Sequence, residues 1–503
     1  MNANLYVQLH ARFGADDKPC LILPDGGIWT YGDLDRASAR LANLLVAQGL
    51  KPGDRVAAQI EKSAQGFALY LATLRAGMVF LPLNPAYRPD EVAYFLGDAT
   101  PGLIVGQPGG AAIATAGHAI PCFELDDQGR GALVDAAVSQ DEHFDPVARA
   151  ADDLAAILYT SGTTGRSKGA MLSHRNLTVN ATTLCSLWGF SADDVLLHAL
   201  PIFHVHGLFI ACHCALLAGA SMLWAPRFDA ATVLAWLPEA SVFMGVPTYY
   251  TRLLAEPGFD AAACRRMRLF ISGSAPLLPE TAQRFRERTG HTILERYGMT
   301  ETGMLTSNPL HGERRIGSVG PALPGVALRI VAEGGEDGPV LAPGEIGTVE
   351  VKGENVCRGY WCMPEKSATD WTADGWFRTG DIGWLDTDAY LHLSGRAKDL
   401  IISGGLNVYP KEIELALDEL PGVLESAVIG LPHPDFGEEV VAVVVAEPEA
   451  HLDTDALLRT LKTRLAGYKV PKRIVIAQEL PRNTMGKVQK NRLRETLSKR
   501  TGG

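Results

Sequence analysis

Residues 154–169 read LAAILYTSGTTGRSKG, an apolar run followed by a loop crowded with hydroxyls, glycines and cations. The run Leu154–Leu158 has the composition of a buried strand. The loop Tyr159-Thr160-Ser161-Gly162-Thr163-Thr164-Gly165-Arg166-Ser167-Lys168-Gly169 suits a phosphate. Glycines let the backbone approach closely, and successive N–H groups make an anion-binding nest. Hydroxyls add donors, while Lys and Arg supply charge. The pattern is not G-x-x-x-x-G-K-[ST], because Ser167 precedes Lys168 and Gly169 follows it. Ser, Thr and Gly also favour a plain surface loop, so composition alone leaves that reading open.

Outward from this stretch, helical and strand patterns alternate. Tyr31 to Gln48 reads as a helix with Leu34, Ala37, Leu41, Leu44 and Leu45 on one face. Arg55 to Ile60 reads as a strand, Gln65 to Ala76 as a helix, and Val79 to Leu83 as another strand. The rhythm continues through Ser241 to Met244 and Leu269 to Ser272. It predicts an α/β fold of mostly parallel, helix-covered sheets. After Pro324 the segments Ala327 to Val331 and Gly347 to Lys352 are short and divided by Gly and Pro, which predicts a smaller antiparallel sheet or barrel. A second break falls at Gly395-Arg396-Ala397-Lys398-Asp399. Beyond it a compact βαβ-like piece is expected. It would hold a helix from Pro410 to Leu420, strands at Val423 to Gly430 and Val440 to Ala446, and a basic helix from Asp453 to Leu465. A piece of roughly 100 residues can hold its own core. The expected division is therefore 1–394, a hinge at 395–399, and a small α+β domain over 400–503.

Composition closes off other classes. The 503 residues carry 46 Lys and Arg against 57 Asp and Glu, a formal charge of −11, which argues against a nucleic-acid partner. Hydrophobic residues at 47% exclude disorder over most of the chain. The first residues show no basic region followed by an apolar stretch, so no secretory signal is expected. The run Gly207 to Pro226 approaches a membrane span of ~20 residues. His213, Gly219 and Ser221 interrupt it, which predicts a buried helix followed by a buried strand and no membrane partner. The eight cysteines are scattered, without the spacing of a disulfide scaffold. Cys212-His213-Cys214 has no partner pair at zinc-finger spacing, so a metal site there is not expected. A reducing cytoplasm fits best.

The loop at 159–169 resembles the signature loop of the adenylate-forming superfamily of acyl-CoA synthetases, adenylation domains and luciferases. Tyr297-Gly298-Met299-Thr300-Glu301-Thr302 resembles its second core motif, and Trp376-Phe377-Arg378-Thr379-Gly380-Asp381 its ribose-binding motif. Gly395 to Asp399 resembles its hinge, followed by Gly404-Gly405-Leu406-Asn407. Pro481-Arg482-Asn483-Thr484-Met485-Gly486-Lys487 resembles its C-terminal lysine motif. Pro82-Leu83-Asn84-Pro85 is a further family stretch. The likeness spans nearly the whole chain.

That resemblance implies ATP, Mg²⁺ and coenzyme A. A carboxylate attacks the α-phosphate of ATP to give an acyl-adenylate and pyrophosphate, and a thiol then displaces AMP. Like charges must meet, so cations and a metal are required. By resemblance Thr160, Ser161, Gly162, Thr163, Thr164, Gly165 and Lys168 hold phosphate, and Lys487 bridges carboxylate and α-phosphate. Glu301 holds Mg²⁺, Asp381 accepts from the ribose, and Arg396 donates to ribose or phosphate. Ser274, Ala275, Glu295, Arg296, Tyr297 and Thr300 surround the nucleotide. The small domain swings about Lys398 between half-reactions, exchanging Lys487 for the loop Gly404-Gly405 that lines the thiol channel.

The acid is read from a second resemblance. Ile157 to His174, Met244 to Leu254, Leu269 to Leu278, Leu294 to Thr302, Lys398 to Ile413 and Leu480 to Lys490 look like the malonyl-CoA synthetases. These join malonate, and often methylmalonate, to CoA. His204 would gate the acyl pocket, and His206, Arg252, Ser274, Gly298 and Met299 would face the acid. A buried Arg252 would have no use for a monocarboxylate but could hold the second carboxylate of a diacid bidentately. Arg252 pointing to solvent is the open alternative. Val205 stands where some members carry Thr, which leaves the preference at C2 open. The rivals are a synthetase for another small carboxylic acid and an adenylation enzyme loading a carrier protein. A monomer or weak dimer is expected.

Overall fold

The computed structural model describes residues 2–110, 120–160, 167–332, 338–403, 406–433, 436–483 and 486–501, with side chains to residue 498. The strand Leu154–Thr160 forms as its apolar composition predicts, and it lies in a six-stranded sheet. The order is Cys122–Glu124, Leu103–Gly106, Arg55–Gln59, Val79–Pro82, Leu154–Thr160 and Lys168–Ser173. All pairs are parallel except the last, where the chain returns antiparallel after the loop.

A second sheet has eight strands. Its parallel centre places Leu294–Met299, Leu269–Ser272, Val242–Gly245, Val195–His198, Ser221–Trp224 and Pro19–Ile22 side by side. Antiparallel edge strands, Gly303–Ser307 and Ile28–Thr30, close it. One continuous core joins the two sheets. The helix Ala64–Arg75 runs through it with every residue but Gln65 buried, which explains its mostly apolar sequence. Ser63 starts that helix by accepting from the Gly66 N–H. Helices Tyr31–Ala47 and His174–Leu187 begin with capping boxes, Thr30 with Asp33 and Ser173 with Asn176.

The run Gly207 to Pro226 is a buried helix and strand, as expected, with one addition. Its first turns, His206–Cys212, are a π-helix, which passes into the α-helix His213–Ala218. Gly219, at φ +65, turns the chain into the buried strand Ser221–Trp224. Among the described residues, no helix is long and apolar enough to cross a membrane. None of the eight cysteines is in a disulfide.

Beyond Pro324, strands Val326–Val331, Gly347–Gly353, Phe377–Leu385 and Leu391–Arg396 form the small antiparallel sheet. Beyond residue 400 lies the separate C-terminal unit with its own core. Its expected elements are present, but they are βαβ only in part. Val423–His433 and Gly437–Ala446 pair antiparallel as a hairpin. Only Gly437–Ala446, the helix Thr454–Arg464 and the strand Arg473–Ala477 make a parallel βαβ unit.

Candidate active site

In an open parallel sheet, loops at the carboxyl ends of the strands converge on one crevice. Here those ends are His198, Gly245, Ser272 and the stretch Glu295 to Met299. Ser274 is held at φ +71, a left-handed conformation unusual for a non-glycine residue, next to Gly273. A Cβ on Gly273 would lie 2.3 Å from Arg296 Nη1, so glycine is what lets the guanidinium pass beneath this loop.

Asp381 is the centre of one cluster. Tyr297 donates its phenol hydrogen bond to one carboxylate oxygen, and Arg396 Nε lies 2.8 Å from the other. Thr379 supports both partners: its hydroxyl accepts from the Asp381 N–H at 3.0 Å, and its carbonyl accepts from Arg396 at 3.1 Å. Asp381 and Arg396 are register partners on adjacent strands. The carboxylate beside it raises the Arg396 pKa, and burial raises that of Tyr297. Lys487 reaches the same cluster. Burial, and then the charge of Arg396, lowers its pKa to about 8. Its hairpin is tight: Lys487 N–H donates to Asn483 Oδ1 at 2.9 Å, and Gly486 N–H to the Asn483 carbonyl at 2.9 Å. A Cβ on Gly486, at φ +74, would lie 2.9 Å from Thr248 Oγ1, so the hairpin rests directly on the start of the helix Pro247–Ala255.

A second cluster surrounds Glu301. Its carboxylate is buried and accepts from Tyr360 Oη at 3.2 Å, and burial raises its pKa. Lys168 lies over the Tyr360 ring at 4.7 Å and pairs with Asp370 at 3.3 Å. Thr160 ends the strand that enters the loop. The loop residues Ser161, Gly162, Thr163, Thr164 and Gly165, and likewise Gly404 and Gly405, lie outside the described residues. Glu295 is buried, accepts from the Leu277 N–H at 3.3 Å, and is raised to about 7 by burial. Lys398 is exposed on the short turn Ala397–Asp399, whose Asp399 pairs with Arg494 at 2.9 Å.

The acid side of the crevice corrects one expectation. Arg252 is exposed. Its helix turns Tyr250, Leu253 and Leu254 inward, and residue 252 falls on the opposite face. The buried guanidinium is that of Arg296, whose Nε and Nη2 meet no acceptor among the described residues. Burial lowers its pKa to about 9. Its charge, after burial itself, also depresses His204, to about 4, and His206. His206 Nδ1 lies 3.3 Å from Ser274 Oγ, while its Nε2 is buried and unpaired among the described residues. Ala275, Gly298, Met299 and Thr300 line the half-buried approach. Thr300 also bounds a small cavity with Val205, Phe209 and Asn355. A buried cation without a counter-charge is costly, which makes Arg296 a candidate ligand for an anion.

Sequence reading missed Tyr360 and Asp370, which act through partners distant in sequence that no local pattern marks. Thr379 lies inside the ribose-binding stretch, two residues before Asp381, but its supporting role was not singled out. Among the described residues, no three His, Cys, Asp or Glu side chains gather as a metal cage.

The model of the AMP-binding enzyme family matches residues 9–361, and that of the AMP-binding enzyme C-terminal domain matches 412–487. ATP-bound MatB from Rhodopseudomonas palustris is 53% identical, covers 99% of each chain, and superposes with a TM-score of 0.96. The apo form of that protein, at the same identity and coverage, superposes with a TM-score of 0.85. A feruloyl-CoA synthase from an Amycolatopsis species is 39% identical over 483 residues, 93% of this chain and 94% of its own. The mitochondrial malonate–CoA ligase ACSF3 of Mus musculus is 37% identical over 516 residues, 94% of this chain and 87% of its own.

Proposed function

The chain belongs to the AMP-binding enzyme family and is an AMP-forming acid–thiol ligase, and we propose that its acid is malonate. The observation that carries this reading is Arg296, a buried guanidinium next to the loop that bears Ser274, two of whose nitrogens meet no acceptor among the described residues. One carboxylate of malonate reacts, and Arg296 takes the other bidentately. His206 Nε2 and Ser274 offer further polar contacts to the bound diacid. The malonate–CoA ligase relative supports the reading.

In the first half-reaction a carboxylate oxygen attacks the α-phosphorus of ATP, and pyrophosphate leaves. Lys487 bridges the attacking carboxylate and the α-phosphate, and Asp381 accepts from the ribose hydroxyls while Tyr297 and Arg396 hold it. Lys168 and the residues around it meet the departing phosphates. Glu301 fits a metal carried in on a triphosphate, because Mg²⁺ is usually held by one or two carboxylates plus phosphate oxygens. When bound, Mg²⁺ would neutralise phosphate charge. In the second half-reaction the CoA thiol attacks the acyl carbon past His204 and AMP leaves. A swing of 400–503 against 1–394 about the hinge at 395–399 exchanges the two steps.

The feruloyl-CoA synthase relative favours a second reading, a hydroxycinnamate ligase. The buried charge of Arg296 argues against it, since an aromatic acid would leave that charge unpaired. The test is ATP-dependent pyrophosphate release with malonate, methylmalonate, succinate, acetate, butyrate, benzoate and ferulate, with and without CoA. Malonate leading, with AMP as product and CoA consumed, supports the proposal. A monocarboxylate leading overturns it and leaves the family assignment standing.

A further inference from the structure

Behind the acid pocket lies a buried polar cluster that the reaction described above does not use. Lys62 Nζ is 2.7 Å from His198 Nδ1, 2.6 Å from the His198 carbonyl and 2.7 Å from the Ala225 carbonyl. It also sits 4.2 Å from the centre of the Trp224 ring. No carboxylate pairs with it among the described residues. His198, itself 1% exposed, turns its other nitrogen, Nε2, to the Gly207 carbonyl at 2.9 Å and to Cys212 Sγ at 3.3 Å.

Burial disfavours charge on both Lys62 and His198, and the three acceptors gathered around the lysine nitrogen favour the assignment in which the proton stays on the lysine. A carbonyl oxygen only accepts, so His198 Nε2 carries the proton that reaches Gly207. Burial keeps the imidazole neutral, so Nδ1 is bare and accepts from Lys62. The two carbonyls take the remaining Lys62 N–H groups, and all three donors of the ammonium are used. The imidazole thereby touches Gly207 and Cys212, which flank the two ends of the π-helix His206–Cys212. A π-helix turn is rare and is found frequently at functional sites. This one opens on His206, whose ring meets Ser274. The turn also packs hard at its start, where a Cβ on Gly207 would lie 2.0 Å from the Pro201 carbonyl.

We propose that Lys62 and His198 are positioning residues for the acid pocket. Lys62 fixes His198 as the Nε2–H tautomer, and that N–H clasps the π-helix so that His206 stays against Ser274. The proposal rests on the acid-pocket reading given above. Without the clasp the turn relaxes toward an α-helical register, which rotates His206 out of place and alters discrimination at C2 of the acid.

The test compares kcat/KM for malonate and methylmalonate, with KM for ATP, in wild type, Lys62→Met, His198→Phe, His198→Gln, Cys212→Ala and Phe67→Leu. Phe67 packs on Trp224 at 5.3 Å and loosens the same core without touching the imidazole. Lys62→Met and His198→Phe are expected to shift the ratio of the two acids about tenfold, the factor that one buried hydrogen bond carries. KM for ATP should stay within about twofold, because the nucleotide cluster is untouched. His198→Gln, whose amide still donates toward Gly207, restores the ratio. Where Lys62→Met does not fold, Cys212→Ala, which keeps the cation, shifts the ratio in the same direction. The proposal is overturned if the ratio moves no more than in Phe67→Leu at equal loss of melting temperature. If wild type rejects malonate, the malonate reading fails, and the clasp is tested separately with the best monocarboxylate and its C2-methyl homologue.

Discussion

Arg396 Nε lies 2.8 Å from Asp381 Oδ1 across two neighbouring strands of the small sheet. Arg396 is also the residue at which the chain leaves that sheet for the turn Ala397–Asp399. The grip on the proposed ribose ligand and the start of the proposed hinge therefore share one side chain. Asp381 has no freedom to turn away, since Tyr297 takes its other oxygen.

Asp381→Asn keeps the shape and removes the charge. The charge-assisted bonds it loses are worth about 2 kcal/mol, so kcat/KM for ATP should fall roughly 30-fold. KM for the acid should change little. Steady-state kinetics with each substrate varied in turn checks this.

Lys487→Ala should reduce pyrophosphate release roughly a hundredfold to a thousandfold, the range for removing one donor that stabilises developing charge. Thioester formation from supplied acyl-adenylate should persist, because in the proposed exchange Lys487 leaves the site before that step. Equal loss in both half-reactions would contradict the proposed exchange.

The Lys487 pKa of about 8 sets a pH limit on the first half-reaction. The active form is the cation, present below that pKa and lost above it. Pyrophosphate release should hold its rate below pH 8 and decline as pH rises through it. Stopped-flow rates from pH 6.5 to 9.5, about the midpoint expected here, would report the limb. Lys487→Arg, charged throughout, should lack it.

Arg296 and Arg252 should part company. Arg296→Met removes a buried cation with unpaired nitrogens, so melting temperature should hold or rise while kcat/KM for malonate falls at least roughly 30-fold. Arg252→Ala, on an exposed helix face, should leave both within experimental scatter. Loss of malonate activity in Arg252→Ala alone would restore the reading that the structure overturns.

Gly486→Ala places a Cβ 2.9 Å from Thr248 Oγ1 in a backbone at φ +74. The strain costs about 1 kcal/mol. The clash also lifts the hairpin from the helix it rests on, so adenylate formation should fall more than thioester formation does. A half-reaction ratio equal to that of wild type would show that this contact does not seat Lys487.

Much of this molecule was legible before any coordinate. The helix Ala64–Arg75 stands within a residue of the expected Gln65 to Ala76, and the strand Leu154–Thr160 begins with the apolar run Leu154 to Leu158 that predicted it, because a strand buried on both faces demands that composition. The position of Arg252 was also readable. Tyr250, Leu253 and Leu254 mark one face of its helix, and residue 252 lies opposite at 100° per residue. The π-turn at His206–Cys212 was not, since its apolar residues satisfy either helical register.

By itself the sequence determined the alternation of strands and helices, the order of the nucleotide motifs and the chemistry they serve. The alternation rests on local composition and spacing, which the chain carries at every point, while the motifs and their chemistry are what the resemblance to a known family implies. Only the tertiary structure decided that Arg296 is the buried cation and that Tyr360 meets Glu301. It alone set Lys62 behind His198, and the lysine hairpin on Thr248. The pairings among these join residues 59 to 238 positions apart (301 to 360 for the buried glutamate, 248 to 486 for the hairpin). Burial and counter-charge belong to the space between elements, and no stretch of sequence holds that space alone.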